Sequence, residues 1–489
     1  MPTSSAFARL RPRAAAALRS GRACPTPPAP PPAAGRLFAT AADGRAPPAP
    51  ARRCPEPAGA RTEPVKATLK ILGGPSFEGR SFGADTSVAG EAVFTTSLVG
   101  YPESMTDPSY AGQILVFTQP LIGNYGVPPA AVDRFGLLTH FESAKIHPSA
   151  IVVCDYAARY SHWNAVSSLG DWCKAHNVPA VTGVDTREIV HVLRENGSSP
   201  ASLVVGADGA FEPDYVDPNT LHLVDRVSVK SPVVYNRGGD VRVALVDCGV
   251  KQNIIRCLCA GGAEVVLLPW DYDFIKDGDR FDGLFVSNGP GDPRHCVATV
   301  GHLRVAVETW DKPIFGICMG NQLLGMAAGL KVKKMRFGNR GHNQPAVNLR
   351  TGQCVITSQN HSLLETFRTP LPPPPRRPSH SVSQGFALDD TEMPAMWERY
   401  FVNANDGSNE GIRHATKPFC SVQFHPEYCG GPRDCEPLFD EFLAAVRRRK
   451  AEKARSAFAS PSSREVPPGP APPPEARAAT AFEAFAIPA

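Results

Sequence analysis

Acidic residues are missing from the first 42 positions of this 489-residue chain. Asp43 is the first, and Arg9, Arg11, Arg13, Arg19, Arg22 and Arg36 precede it among abundant Ala and Ser. A basic, acid-free start of this kind has the composition of an organellar transit peptide, which implies a mitochondrial matrix protein with a cytoplasmic one as the alternative. A disordered basic arm or a spurious start has the same composition. No apolar run reaches the length of a bilayer span, so no membrane segment is expected. Charge of one sign is also lacking: 51 Lys and Arg against 47 Asp and Glu leave +4, too mild to argue for nucleic acid. The thirteen cysteines have no zinc-type spacing, Cys257/Cys259 and Cys429/Cys435 being the closest pairs, so no metal site is expected. Scattered cysteines suggest reduced thiols in an intracellular compartment. A Gly-x-x-x-x-Gly-Lys-Ser/Thr phosphate loop is absent as well.

What is abundant is proline, 50 residues, unevenly spread. Proline-rich runs occupy the start, residues 371–378 and the end, and such stretches cannot bury a core. They divide the chain. Residues 1–64 read as transit peptide and linker. Residues 65–205 carry short strand-like runs such as Thr68–Leu72, Ala92–Phe94 and Ile114–Phe117, with helices expected at Ser168–His176 and Thr186–Glu195, a mixed α and β domain. Residues 206–240 read as a connecting segment with turn signals at Asp217-Pro218-Asn219. Residues 241–447 alternate apolar strands and helices, which argues for an α/β unit with a parallel sheet covered on both faces. Residues 448–489 read as a disordered tail.

In that α/β unit the strand Ile314–Ile317 stops at Cys318, flanked by Gly316 and Gly320, and a helix-like run follows at once. A nucleophile elbow has this layout, and a helix N-terminus favours a thiolate. Taken alone, a cysteine on an apolar strand is more often a small buried hydrophobe. A second signal lies about a hundred residues on, Gln423-Phe424-His425-Pro426-Glu427. A thiol, an imidazole and a carboxylate are the parts needed for covalent acyl transfer. Ser287-Asn288-Gly289-Pro290-Gly291-Asp292-Pro293 and Cys318 both fall just past strand ends, where ligands bind in open α/β sheets.

Gly316-Ile317-Cys318-Met319-Gly320-Asn321-Gln322 resembles the nucleophile segment of class I, triad-type glutamine amidotransferases, Ser287–Pro293 their oxyanion loop, and Phe424–Glu427 their His/Glu segment. Phe94–Glu103, Thr106–Tyr110 and Gly183–Arg187 resemble the N-terminal domain of the carbamoyl-phosphate synthase small-subunit family. The resemblance runs from about Val65 to about Arg447. It implies a C-terminal flavodoxin-like class I glutamine amidotransferase domain behind the mixed N-terminal domain. It also implies Cys318 as nucleophile, His425 as general base and acid, and Glu427 as its support. Oxyanion donors would be the N–H groups of Met319 and Gly291. Carried over by motif, Ser97, Gly289, Gly291, Met319, Gln322 and Asn360 would contact L-glutamine.

The family motif at Gln359-Asn360-His361 continues with Gly and an aromatic, which here appear only at Gly385-Phe386, so residues 362–384 read as an insertion and Gly385 and Phe386 as further glutamine contacts. The insertion is either a genuine loop or an uncorrected intron. Met319-Gly320-Asn321-Gln322, Asn339-Arg340-Gly341 and Phe401–Asp406 resemble the urea-cycle and arginine branch, with Asn321 where many relatives carry histidine. That branch's ammonia-dependent members lose the cysteine, and Cys318 is kept. The resemblance implies a glutaminase supplying ammonia to a synthetase that uses bicarbonate and ATP, with ATP and Mg on that partner and no cofactor in this chain. The partner would be a separate large subunit or a fused domain. Arginine, urea and pyrimidine synthesis all remain open as destinations. Two other readings are a scaffold or regulatory module of an ammonia-dependent synthase, and a cysteine hydrolase on the same fold. Intact Cys318, His425 and Glu427 oppose the first, and the whole N-terminal domain opposes the second.

Overall fold

A computed structural model describes residues 65–206, 211–334, 337–363 and 386–459. The expected transit peptide, Gly385 and all but the first two residues of the expected insertion lie outside the described residues.

The N-terminal domain is built on seven strands: β1 (Lys66–Ile71), β2 (Ser76–Ser81), β3 (Val88–Thr95), β4 (Gln113–Phe117), β5 (Ala150–Val152), β6 (Ala180–Thr182) and β7 (Ser199–Val205). They close a barrel in the order β1-β2-β6-β5-β4-β3-β7, with β7 pairing back on β1. In β4 the side chains alternate between two cores, Ile114 and Val116 packing with Leu69, Ile189 and Leu203, and Leu115 and Phe117 with Val93, Met105 and Ile151. A strand covered on both faces needs this unbroken apolar run. Helices α1 (Tyr101–Thr106), α2 (Leu169–Ala175) and α3 (Thr186–Asn196) connect the strands. Ser168 and Asp185 cap α2 and α3 by accepting the backbone N–H groups of Asp171 and Glu188.

The C-terminal domain carries a ten-stranded sheet. Its strands are β8 (Val233–Tyr235), β9 (Arg242–Asp247), β10 (Glu264–Pro269), β11 (Gly283–Val286), β12 (Ile314–Ile317), β13 (Phe337–Asn348), β14 (Cys354–Leu363), β15 (Trp397–Asn403), β16 (Asn409–His414) and β17 (Phe419–Val422). The spatial order is β8-β10-β9-β11-β12-β17-β16-β15-β13-β14. Its parallel part, β10-β9-β11-β12-β17, has the 2-1-3-4-5 order of the flavodoxin-like fold. Helices α4 (Gln252–Ala260), α5 (Val297–Thr309), α6 (Met319–Ala327) and α7 (Pro437–Ala459) cover it. In β9, Val243 and Leu245 face one core while Ala244 and Val246 face the other.

Three expectations change. The connecting segment 206–240 supplies β8, which pairs antiparallel with β10 and extends the sheet edge. Residues 448–459, expected as tail, continue α7: its apolar positions Leu438, Phe439, Phe442, Leu443 and Val446 are buried, and the charged residues after them ride on an established helix. Ser362 and Leu363, expected as insertion, still pair within β14 against Gly338 and Phe337. No described helix is long and apolar enough to cross a membrane.

The two domains meet near the carboxyl ends of the parallel strands. Thr96, just past β3, donates its N–H to the Arg340 carbonyl at 3.1 Å. Arg256 on α4 pairs with Asp133 at 2.8 Å and donates to the Leu138 carbonyl.

Candidate active site

Cys318 occupies the corner between β12 and α6 with φ 54° and ψ −101°. A non-glycine residue at such a φ carries strain of about 1–3 kcal/mol, held here by its surroundings. Its N–H donates to the Val422 carbonyl at 2.9 Å, and the Gly320 N–H donates to the Ser287 carbonyl at 3.0 Å. Both flanking glycines are sterically required. A Cβ on Gly316 would come 2.6 Å from the Gly320 backbone, and one on Gly320 would overlap the Val286 carbonyl oxygen.

Strand β17 runs parallel to β12, and the chain beyond it turns back at His425 and Glu427, His425 donating its N–H to the Ser358 carbonyl at 2.8 Å. His425 Nδ1 lies 2.7 Å from Glu427 Oε1. His425 Nε2 is buried and has no hydrogen-bond partner among the described residues. Lys251, in the turn between β9 and α4, is 1% exposed, and its Nζ lies 3.1 Å from both His425 Nδ1 and Glu427 Oε1 and 3.5 Å from Asp107 Oδ2. Glu427 Oε1 therefore has two donors directed at it.

Burial would raise the Glu427 carboxyl, but the Lys251 ammonium, the His425 ring and its hydrogen bond outweigh that and hold it at about 2. Burial would likewise neutralise Lys251, and the carboxylates of Asp107, Glu427 and Glu142 reverse this, so its ammonium is held. Burial pushes the Cys318 thiol up to about 12, with Lys251 pulling the other way. Burial therefore opposes the sulfur anion, and a neighbouring base must take the thiol proton.

The N-terminal domain supplies two of these carboxylates. Asp107 follows α1 and accepts the Ser109 N–H. Glu142 accepts the Asn253 N–H at 3.1 Å at the start of α4, and the Asn253 side chain donates to the Glu427 carbonyl oxygen. Burial lifts the Glu142 carboxyl to about 7 against the pull of Lys251 and the Asn253 N–H.

The Ser287–Pro293 loop follows β11. A Cβ on Gly289 would overlap the Cys248 carbonyl, and Gly291 has φ +80°, so glycine is needed at both. Asn288 ties the loop to both domains, accepting the Lys251 N–H at 3.1 Å and donating to Ser109 Oγ at 3.0 Å.

Of the expected glutamine contacts, Met319 and Gln322 are buried on the first turn of α6. Asn360 on β14 reaches Asp107 Oδ2 at 3.4 Å. Ser97 bonds Thr95 Oγ1 at 2.9 Å and His342 Nε2 at 2.7 Å. Phe386 begins a short strand paired with Lys331–Lys334, and Gly385 lies outside the described residues. Sequence reasoning missed Lys251, Asp107, Glu142 and Gln423. Lys251 had a usable signal, its place just past a parallel strand; the two acids come from a domain whose docking no local pattern announces.

The model of the carbamoyl-phosphate synthase small chain, CPSase domain, matches residues 69–203, and that of class-I glutamine amidotransferase matches residues 244–371 and 374–445. The carbamoyl phosphate synthase arginine-specific small chain of Phaeosphaeria nodorum is 52% identical over 423 residues, covering 85% of this chain and 83% of that one. The protein of the same name from Neosartorya fischeri is 52% identical over 397 residues, covering 81% and 83%. Among solved structures, a glutamine amidotransferase from Thermotoga maritima is 14% identical, covers 44% of this chain and 85% of its own, and has a TM-score of 0.27.

Proposed function

The chain belongs to the carbamoyl-phosphate synthase small-chain family and is a glutamine amidotransferase subunit, and on that premise we propose which of its groups carry the reaction. The observation that carries the proposal is the strained Cys318 corner beside a buried His425–Glu427 pair whose Nε2 has no partner among the described residues. Cys318 Sγ attacks the side-chain amide carbon of glutamine. The thiol proton passes to His425 Nε2, while Nδ1 stays on Glu427. The N–H groups of Met319 and Gly291 receive the oxyanion. His425 returns the proton to the leaving ammonia and then takes one from water, whose oxygen attacks the thioester carbon; the Cys318 sulfur leaves and takes the proton back from His425, releasing glutamate. Glu427, held at about 2, stays ionised throughout and supports the imidazolium. Ser97, Gly289, Gln322, Asn360, Gly385 and Phe386 bind the substrate in this reading.

The ammonia goes to a large synthetase subunit or domain holding ATP and Mg. The relatives' name, arginine-specific small chain, supports arginine synthesis as its use. The acid-free, Arg-rich start supports import into the mitochondrial matrix. The test is glutamate release from glutamine by the full chain, with and without a carbamoyl-phosphate synthetase subunit. Release that disappears in Cys318→Ala supports the assignment; release that survives in that variant removes it.

A further inference from the structure

Gln423, directly after β17, is fully buried, and its Nε2 lies 3.6 Å from Cys318 Sγ, within reach for an N–H···S hydrogen bond. Its amide belongs to a buried series of three side chains. Asn321 Nδ2 donates to Gln423 Oε1 at 2.9 Å, and Ser421 Oγ donates to Asn321 Oδ1 at 2.8 Å. Ser421, Asn321 and Gln423 are all completely buried. The backbone fixes the spacing, because β12 and β17 pair Ile317 with Val422 and the Cys318 N–H donates to the Val422 carbonyl.

Two primary amides in series have one direction of donation. Read from Ser421 to Asn321 to Gln423, that direction presents N–H, not carbonyl oxygen, to the sulfur. We propose that Gln423 is a hydrogen-bond donor to the Cys318 thiolate and that Asn321 is the positioning residue that aims it. This rests on the reading of Cys318 as the nucleophile. The donor is uncharged, so it favours the anion without repelling the Lys251 ammonium. An amide carbonyl in the same place would oppose the anion. Such a donor matters because burial works strongly against a sulfur anion here. The charged groups that bear on the same sulfur are Lys251 from the β9–α4 turn, Asp107 from the N-terminal domain, Glu427 beyond β17 and Arg340 on β13, with the Met319 N–H at the start of α6.

The experiment is the pH profile of iodoacetamide alkylation, followed by mass spectrometry on the Cys318 peptide of the full chain, alongside kcat and KM for glutamine. Gln423→Met keeps the length and loses the donor. It should move the alkylation midpoint alkaline by about one pH unit and lower kcat about tenfold, with KM little changed. Asn321→Leu should move the midpoint in the same direction by less. Should Gln423→Met fail to fold, Asn321→Leu carries the test. A folded variant with the wild-type midpoint overturns the proposal, since a merely structural glutamine would lower kcat without moving the titration. Hydrolysis surviving in Cys318→Ala would instead overturn the nucleophile assignment, so the two failures are separable.

Discussion

Replacing Glu142 by glutamine should make the protein more stable at alkaline pH. Glu142 is 2% exposed, and burial lifts its carboxyl from the ordinary 4.5 to about 7. A carboxyl raised on folding contributes stability that is intact below pH 4.5 and lost as pH climbs through 7. The unfolded chain sheds this proton first, so its release opposes folding between those values. With one pKa unit worth about 1.4 kcal/mol, the loss from this group is about 3 kcal/mol at pH 8 and under about 1 kcal/mol at pH 5. A glutamine side chain in the same place would still accept the Asn253 N–H but has no proton to lose. Urea denaturation of wild type and Glu142→Gln at pH 5 and pH 8 gives the comparison. The variant should gain on wild type by roughly 2 kcal/mol between the two pH values. An unchanged gap would refute the argument and mean that Lys251 keeps Glu142 ionised at no cost.

Lys251→Met should destabilise the chain by about 3–5 kcal/mol near neutral pH, because it leaves Glu427 and Asp107 buried without their cation. The deficit should shrink as pH falls from 4.5 toward 2, where the wild type loses the stability that ionised Glu427 draws from Lys251, and denaturation at pH 7 and pH 3 reads this directly. Gly320→Ala should fold poorly and lose glutamine hydrolysis, since the new Cβ overlaps the Val286 carbonyl; a soluble, active Gly320→Ala would mean that the corner tolerates a shift.

The fold class was legible because the α/β unit alternates unbroken apolar strands with helices, and the small residues around Cys318 mark a corner no larger side chain fits. His425 and Glu427 are two residues apart, so their contact is close to local. The meeting of Cys318 with that pair depends on β12 lying beside β17, which the strand–helix alternation makes plausible without specifying. The antiparallel half of the sheet was not legible. Its strands β13 to β16 carry buried polar residues such as Gln359, His361, Asn403 and Glu410, which break the apolar pattern by which strands are recognised. The edge strand β8 is three residues long and gains its place only by pairing with β10. Lys251 illustrates the remaining gap. A lysine in a turn reads as solvated, and its burial becomes tolerable where Asp107 and Glu142 from another domain join Glu427 around it.

The most direct test of the central claim is acid quenching of the chain during turnover of glutamine, followed by mass spectrometry of its cysteine peptides. A glutamyl thioester on the Cys318 peptide, absent in Cys318→Ala, is the predicted result. Glutamate production with no adduct on Cys318, or with the adduct on another cysteine, would contradict the account.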